Sequence, residues 1–160
     1  MISYRVGVLT VSDRCSLGEA QDRSGPALVA LVDQFGFVVV ETAAVPDEPD
    51  DIQTTLKQWF GVCDLILTTG GTGLSPRDIT PEATTPLLDR PTPGISEFIR
   101  ASAFARNPRA ALSRGVSGLI GSCLIVNLPG SEKAATEGWE SLKLLLPHAL
   151  DIATNQNSDH

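Results

Sequence analysis

The sequence predicts a three-layer α/β fold in which helices cover both faces of a mostly parallel sheet. Two observations support this prediction. Short, mainly apolar runs rich in β-branched residues alternate three times with stretches of helical periodicity in the first half of the chain, and short polar connections separate them. This alternation implies right-handed crossovers between parallel strands, and strands that are apolar throughout are typical of a sheet buried on both faces.

The elements of the first half follow from the same pattern. The predicted strands are apolar runs that end at polar loops: residues 6–11, 38–45 and 65–67. The predicted helices carry apolar residues at helical spacing and end at Gly36 or Gly61: residues 25–35 and 50–60. Residues 16–24 are polar, and we expect a loop there.

The second half is predicted to be more helical. Two helices are expected at 81–88 and 95–104, and two short strands, 116–120 and 122–127, form a hairpin about Gly121. A last long helix begins after Ser131 and is interrupted by Pro147. No element is assigned to residues 106–113. We expect residues 1–153 to form a single domain and the polar tail, 154–160, to be frayed.

The composition restricts the class of protein. With 160 residues, the chain has room for one domain with a proper core, and its net charge of −7 disfavours nucleic-acid partners. No apolar run approaches the length of a membrane span, and the N-terminus lacks the pattern of a signal peptide. A cytoplasmic protein without a membrane partner is therefore expected. The three widely spaced cysteines predict free thiols rather than disulfides or a zinc site.

A glycine-rich stretch follows the third predicted strand. Residues 69–73 read Thr-Gly-Gly-Thr-Gly, so the backbone can turn tightly and direct several N–H groups at one anion. Arg77-Asp78 and a helix start, Thr80-Pro81-Glu82, come next, and together these features predict a phosphate cradle. The spacing fits neither a Walker loop nor a dinucleotide fingerprint. A plain strand-to-helix turn explains the glycines equally well, but it does not explain the acid at position 78.

Acidic residues follow three of the predicted parallel strands. Asp13, Asp47 and Asp78 lie in loops at carboxyl ends of strands, where ligands of doubly wound sheets bind. Two like charges about 4 Å apart repel by roughly 4 kcal/mol at an effective dielectric of about 20. A Mg²⁺ ion held by carboxylates and substrate phosphates removes this repulsion. Asp47 and Asp78 therefore predict a magnesium–nucleotide site, and helix capping is the alternative for each of them.

Three further polar residues have two interpretations each. Ser131 begins the last long helix, where a plain N-cap is the favoured role and a phosphate contact is the alternative. Arg77 and Arg114 are either contacts for phosphate or carboxylate groups or ordinary surface charges.

Six motifs occur in order along the chain: Asp22-x-Ser24-Gly25, Pro46-Asp47, Thr69-Gly70-Gly71-Thr72-Gly73, Asp78-x-x-Pro81-Glu82-Ala83, Ser113-Arg114 and Asn127-Leu128-Pro129-Gly130-Ser131. In this order they resemble the molybdenum-cofactor family that comprises the MoaB/Mog proteins and the G domain of plant and animal fusion enzymes. The resemblance covers nearly the whole chain, from Gly7 to about Leu150.

The resemblance implies a molybdopterin-binding protein. In the adenylyltransferase branch of the family, AMP from Mg²⁺-ATP is joined to the terminal phosphate of molybdopterin and pyrophosphate is released. The resemblance assigns catalysis and magnesium binding to Asp47 and Asp78. It assigns molybdopterin or nucleotide binding to Ser12, Asp13, Thr69, Gly70, Gly71, Thr72, Gly73, Glu82, Ser113, Pro129, Gly130 and Ser131. It also implies a homotrimer or a dimer of trimers, and delivery of the product to a molybdenum-insertion enzyme.

Two alternatives to the adenylyltransferase stay open from the sequence. One is a MoaB-type protein that binds molybdopterin or assists assembly without catalysis, and the other is an unrelated nucleotide-binding module. The presence of both Asp47 and Asp78 favours the enzyme.

Overall fold

The computed structural model describes residues 3–155, and their centre is one mixed sheet. Its strands are β1 (Arg5–Val11), β2 (Val38–Val45), β3 (Leu65–Thr69), β4 (Arg90–Pro91), β5 (Ser117–Ile120) and β6 (Cys123–Leu128). They lie in the order β2-β1-β3-β6-β5-β4. β1, β2, β3 and β6 run parallel, whereas β5 is antiparallel to both β6 and β4. The predicted fold class, including the hairpin, is confirmed.

Helices cover both faces of the sheet. They are α1 (Asp13–Ser16), α2 (Ser24–Phe35), α3 (Pro49–Trp59), α4 (Thr80–Thr84), α5 (Pro93–Phe104), α6 (Glu132–Leu142) and α7 (Leu146–Ala153). Side chains of α2, α5, α6 and α7 join one buried apolar cluster, and side chains of α3 and α4 join a second. The sheet therefore separates two cores.

The first three positions of strand β3, residues 65–67, are all apolar, and the packing of the strand explains why. Leu65 and Leu67 pack in one cluster and Ile66 packs in the other, and all three are fully buried. Because successive side chains of a strand point to opposite faces, a central strand between two helix layers buries both faces, and apolar residues follow one another without alternation. Trp59 and Trp139 belong to opposite clusters, which confirms that both tryptophans are core residues.

Local chemistry explains the elements that the sequence pattern predicted imperfectly. The loop expected at 16–24 is preceded by the short helix α1, because the hydroxyl of Ser12 accepts the N–H of Cys15 and caps that helix. The helix expected at 81–88 is α-helical only as far as Thr84 and continues as a 3-10 turn, Thr85–Leu87. The ring nitrogen of Pro86 has no N–H with which to continue the α-helical ladder.

Two segments of the second half carried no assignment from the sequence. Residues 106–113 contain a 3-10 turn, Pro108–Leu112, and the side chain of Asn107 caps it by accepting the N–H of Arg109. The edge strand β4 has two residues, which is too short for a periodic signal. The tail predicted to be frayed lies outside the described residues from position 156 onward.

The three cysteines are free thiols, as predicted. Burial raises the pKa of Cys63 to about 11 and that of Cys123 to about 12, so both stay protonated near neutral pH. Among residues 3–155, no helix combines the length and apolar character needed to cross a membrane.

Tyr4 connects the start of the chain to α7, and we expect this contact to contribute measurably to stability. Its hydroxyl donates to Asp151, its ring packs edge-on against Phe37, and burial raises its pKa to about 12. Tyr4→Phe keeps the ring and removes only the hydrogen bond, so the free energy of unfolding should fall by about 1–3 kcal/mol. Urea denaturation of both proteins measures this difference, and an unchanged midpoint would contradict it.

Candidate functional site

The carboxyl ends of the four parallel strands meet at one edge of the sheet. The loops after β1, β2, β3 and β6 start there, as predicted from the sequence. Backbone hydrogen bonds join neighbouring loops: Ser12 N–H donates to the carbonyl of Val45 (2.9 Å), and Gly70 N–H donates to that of Leu128 (3.1 Å). The edge is therefore a connected surface.

The glycine loop, residues 69–73, is held by buried hydroxyl groups. Thr80 Oγ1 donates to the carbonyl of Gly70 (2.9 Å), and Thr80 N–H donates to that of Gly71 (3.0 Å). Thr69 Oγ1 donates to the carbonyl of Pro129 (2.7 Å), which joins the loop to the segment after β6. The two bonds from Thr80 satisfy the carbonyls of Gly70 and Gly71, and all three bonds together fix the direction of the loop backbone.

Gly70 is a position that only glycine can occupy. Its φ of +103° lies in the left-handed region, and a Cβ atom built there would lie 2.2 Å from the carbonyl oxygen of Val11. The loop therefore passes directly over the end of β1.

Asn127 forms a buried polar centre beneath the same loop. Its side-chain nitrogen donates to Thr68 Oγ1 (2.9 Å) and Thr84 Oγ1 (3.3 Å), and its Oδ1 accepts the N–H of Val116 (3.2 Å). Because each partner is buried or nearly so, this network fixes β3, β6 and α4 relative to one another.

Asp13 and Asp47 hold each other through their backbones. Asp13 N–H donates to Asp47 Oδ2 (3.0 Å), and Asp47 N–H donates to Asp13 Oδ1 (2.9 Å). No side chain caps the N-terminus of α3. The capping alternative for Asp47 is therefore wrong, and its carboxylate belongs to the loop edge.

The two carboxylates differ in charge compensation. Arg77 donates to both oxygens of Asp13 (3.1 and 3.0 Å), and these two bonds, with the N–H of Asp47, lower the pKa of Asp13. Arg77 also donates to Glu48 (2.9 Å). Partial burial is the chief cause that raises the pKa of Asp47, and the hydrogen bond from Asp13 N–H opposes it. The charges of Asp13 and Asp78 raise this pKa further, and the charge of Arg77 lowers it. Negative charge at Asp47 is therefore only partly compensated.

Asp78 closes its own turn rather than capping a helix. Its Oδ2 accepts the N–H of Ser75 (3.0 Å), and α4 has no side-chain cap. The capping alternative is thus wrong here too. By contrast, Ser131 Oγ accepts the N–H of Ala134 (3.1 Å), which confirms Ser131 as the N-cap of α6.

Two pockets meet at the glycine loop. The α5 pocket has a volume of about 400 Å³ and lies between the loop, α5, the 3-10 turn at 108–112 and α6. The α2 pocket has a volume of about 530 Å³ and lies between the loop, the end of β1 and the N-termini of α2 and α6. The two pockets share Gly71, Asp78 and Gly130.

Most residues predicted for the site line one or both pockets. In the α2 pocket these are Ser12, Asp47, Thr69, Gly70, Gly71, Asp78, Gly130 and Ser131. In the α5 pocket they are Gly71, Thr72, Gly73, Asp78, Ser113, Pro129 and Gly130.

Asp13 and Glu82 line neither pocket. Asp13 is engaged by Arg77, and Glu82 pairs with Arg114, which lowers the pKa of Glu82. Arg114 also donates to the carbonyls of Gly73 (2.8 Å) and Asp78 (2.6 Å), so it supports the glycine loop from outside.

Several polar residues of the α5 pocket were not predicted from the sequence. These are Asn107, Arg109, Arg100 and Glu137. Asn107 and Arg109 fall in the segment that carried no assignment, and Arg100 and Glu137 lie on helices whose apolar positions dominated the pattern. In the α2 pocket, Asp22 belongs to a noted motif, and its Oδ1 accepts the N–H of Gly25 at the start of α2 (3.0 Å).

The residues present fit a hard divalent cation bound together with a substrate. Asp47 and Asp78 both face the α2 pocket, and the pKa of Asp47 is raised chiefly by burial and further by the charges of Asp13 and Asp78. Within residues 3–155 no group of three or more His, Cys, Asp or Glu side chains is arranged to hold a metal. A Mg²⁺ ion would therefore need ligands from phosphate and water besides these carboxylates, which is its usual mode of binding.

Comparison with known proteins gives consistent results. The family model described as "Probable molybdopterin binding domain" matches residues 7–148. The chain is 46% identical to the molybdenum cofactor synthesis protein cinnamon of Drosophila melanogaster, over 95% of this chain and 26% of that protein. It therefore spans about a quarter of that relative's length.

Two shorter proteins match over more of their own length. The chain is 43% identical to the molybdopterin adenylyltransferase of Haemophilus influenzae, over 87% of this chain and 73% of that enzyme. The solved structure of the molybdopterin biosynthesis enzyme MoaB of Thermus thermophilus superposes with a TM-score of 0.90 at 49% identity, over 95% of this chain and 97% of that one.

Proposed function

Because the chain belongs to the MoaB/Mog family of molybdopterin-binding domains, we propose that it is a molybdopterin adenylyltransferase of molybdenum cofactor biosynthesis. The reaction joins AMP from ATP to the terminal phosphate of molybdopterin and releases pyrophosphate. One observation carries the proposal: two pockets of different character meet at the glycine loop, and Asp78 lines both.

The α2 pocket suits the triphosphate of ATP. The N-termini of α2 and α6 both open into it, and their helix dipoles favour anions. The N–H groups of the glycine loop add further donors in a chain of net charge −7.

The α5 pocket suits a flat heterocycle. Ile99, Ala103 and Leu112 provide an apolar wall, and Arg100 and Asn107 provide polar groups at its border. Molybdopterin in this pocket places its phosphate at the shared residues, where the nucleotide phosphates also lie.

Positioning and charge neutralisation supply most of the rate in this scheme. The glycine loop orients the phosphate of molybdopterin toward the α-phosphorus of ATP. Asp47 and Asp78 hold the Mg²⁺ of the nucleotide complex, and that ion, when bound, offsets the charge of the phosphates. Asp13 fixes the carboxylate of Asp47 through the paired backbone hydrogen bonds.

Release of pyrophosphate distinguishes this function from the noncatalytic alternative. The protein is incubated with Mg²⁺ and ATP, with and without molybdopterin, and pyrophosphate is measured. We expect release only when molybdopterin is present. Binding of molybdopterin without consumption of ATP would instead support a MoaB-type binding or assembly protein, and nucleotide binding without any affinity for pterin would support an unrelated module.

The charge of Arg77 should be visible in the pH dependence of the reaction. Because Arg77 opposes the increase in the pKa of Asp47, Arg77→Gln should raise that pKa further. Asp47 must be ionised to hold Mg²⁺, so the acid limb of kcat/KM should move to higher pH. Arg14→Gln is the control: it removes the same charge from an exposed neighbour of Asp13 and should leave the acid limb of kcat/KM at the parental pH. A shift to lower pH in Arg77→Gln would contradict the assignment.

We further propose a homotrimer or a dimer of trimers that works in the cytoplasm and passes its product to a molybdenum-insertion enzyme. Exposed apolar side chains support self-association, among them Phe98, Phe104 and Leu112. The free thiols suit a reducing compartment. Light scattering coupled to size-exclusion chromatography tests the oligomer.

A further inference from the structure

Among residues 3–155, those that line the α5 pocket include two carboxylates, Asp78 and Glu137. Asp78 lies at the glycine loop, where Ser75 N–H donates to it. Glu137 lies on α6, six residues beyond its N-cap Ser131, which is about 9 Å along the helix axis at 1.5 Å per residue. The pocket therefore has one acid near the phosphate end and one far from it.

The side chain of Glu137 is partly sheltered and keeps its capacity to accept hydrogen bonds. Its Oε2 lies 3.6 Å from Arg106 Nε, and 30% of the side chain is exposed. An ionised carboxylate offers about four lone-pair sites, so this one long ion pair leaves most of them available. Arg106 itself is about half exposed, and an ion pair with an exposed partner is weak, so Arg106 does not hold the Glu137 carboxylate firmly.

A pterin whose phosphate lies at the glycine loop needs a hydrogen-bond acceptor at the opposite end of the α5 pocket, where Glu137 lies. Its aminopyrimidinone ring presents the 2-amino group and the N3–H side by side, and these two parallel donors match the two oxygens of a carboxylate. In molybdopterin the phosphate is carried at the opposite end of the fused rings. Arg100, Arg109 and Asn107 also line the α5 pocket and mainly offer donors, which suit the carbonyl and ring nitrogens of the pterin. Arg100 already donates to the carbonyls of Ser113 (3.4 Å) and Gly115 (2.8 Å) through one of its nitrogens.

We propose that Glu137 is the specificity residue for the pterin, and that its carboxylate accepts the 2-amino and N3–H groups while the phosphate lies at the glycine loop. This inference rests on the proposed function for the identity of the ligand. Glu137 would therefore discriminate between 2-amino and 2-oxo pteridines. Its carboxylate accepts both the 2-amino group and N3–H of a pterin, whereas it repels the carbonyl oxygen at position 2 of an oxo analogue.

Two soluble probes test the assignment without turnover. 6-Hydroxymethylpterin monophosphate and 6-hydroxymethyllumazine monophosphate carry an amino and an oxo group, respectively, at position 2, and quenching of pteridine fluorescence reports their binding. The parent protein should prefer the pterin by about 10- to 100-fold, the effect of a lost charged hydrogen bond. Glu137→Gln should lose most of this preference, because an amide can donate to the 2-oxo group.

Two further variants separate recognition from a structural effect. Glu140→Gln removes the same charge one turn further along α6, where Glu140 pairs with Lys143, and it should keep the parental preference. Glu137→Asp keeps the carboxylate and should weaken binding while still favouring the pterin. Thermal melting checks that each variant is folded.

The outcomes separate this inference from the proposed function. A pterin preference that disappears in Glu137→Gln supports the inference even if the protein transfers no adenylyl group. Equal affinity of the parent for the two probes, or a full pterin preference in Glu137→Gln, would overturn it even if adenylyl transfer is observed. With active protein, Glu137→Gln should also raise the KM for molybdopterin and leave the KM for ATP unchanged.

Discussion

Asp78→Asn is expected to lower kcat for adenylyl transfer by about 10²- to 10³-fold, which is typical when a preorganised charge is removed from an active site. Asparagine retains an oxygen that can accept the Ser75 N–H, so the turn at 75–78 should persist. What disappears is the negative charge that faces both pockets and that, in the proposed function, would hold Mg²⁺ together with Asp47. Steady-state kinetics with saturating ATP and Mg²⁺ measure the effect.

The control for this variant is Asp50→Asn. Asp50 is exposed, lies three residues after Asp47 and lines neither pocket, so the same loss of charge there should leave kcat within about twofold of the parent value. Equal activity of Asp78→Asn and Asp50→Asn would exclude Asp78 from the chemistry.

Gly70→Ala should be the most damaging single change to the glycine loop. An alanine must adopt a left-handed backbone at φ +103° and place its Cβ 2.2 Å from the carbonyl oxygen of Val11. Left-handed strain and overpacking together should cost about 2–5 kcal/mol of unfolding free energy, a large share of the stability of a typical domain. Chemical denaturation measures the loss, and activity should fall with it because the loop moves.

The control variant Gly18→Ala separates left-handed backbone strain from overpacking. Gly18 also has a left-handed backbone, at φ +74°, but a Cβ there meets nothing within 4 Å. Only the conformational cost remains, about 1–2 kcal/mol. If Gly70→Ala costs no more than Gly18→Ala, the close contact with Val11 does not constrain the loop.

The sequence predicted the fold because the fold depends on periodicity. All five residues of β3 are buried because two helix layers enclose the strand, and the apolar run at residues 65–67 reflects that burial. The location of Asp47 at the loop edge was predicted from the strand topology, because parallel strands place their carboxyl ends at one edge of the sheet. The short helix α1 and the strand β4 were missed because each has too few residues to show a period.

Parts of the site could not be read from the sequence because they depend on contacts between distant residues. The capping alternatives for Asp47 and Asp78 were excluded only by the hydrogen bonds from Asp13 and Ser75. The engagement of Asp13 by Arg77 spans 64 residues of chain. Likewise, Glu137 has the periodicity of an ordinary polar position on α6, and only the packing of α6 beside α5 places it in a pocket.

The most direct test of adenylyl transfer is detection of its product. The purified protein is incubated with molybdopterin, ATP and Mg²⁺ beside the Asp78→Asn variant, and the pterins are analysed by mass spectrometry. We predict adenylylated molybdopterin from the parent protein and little or none from the variant in the same time. Molybdopterin that binds to the parent protein but is recovered unmodified, with ATP intact, would contradict the proposed function.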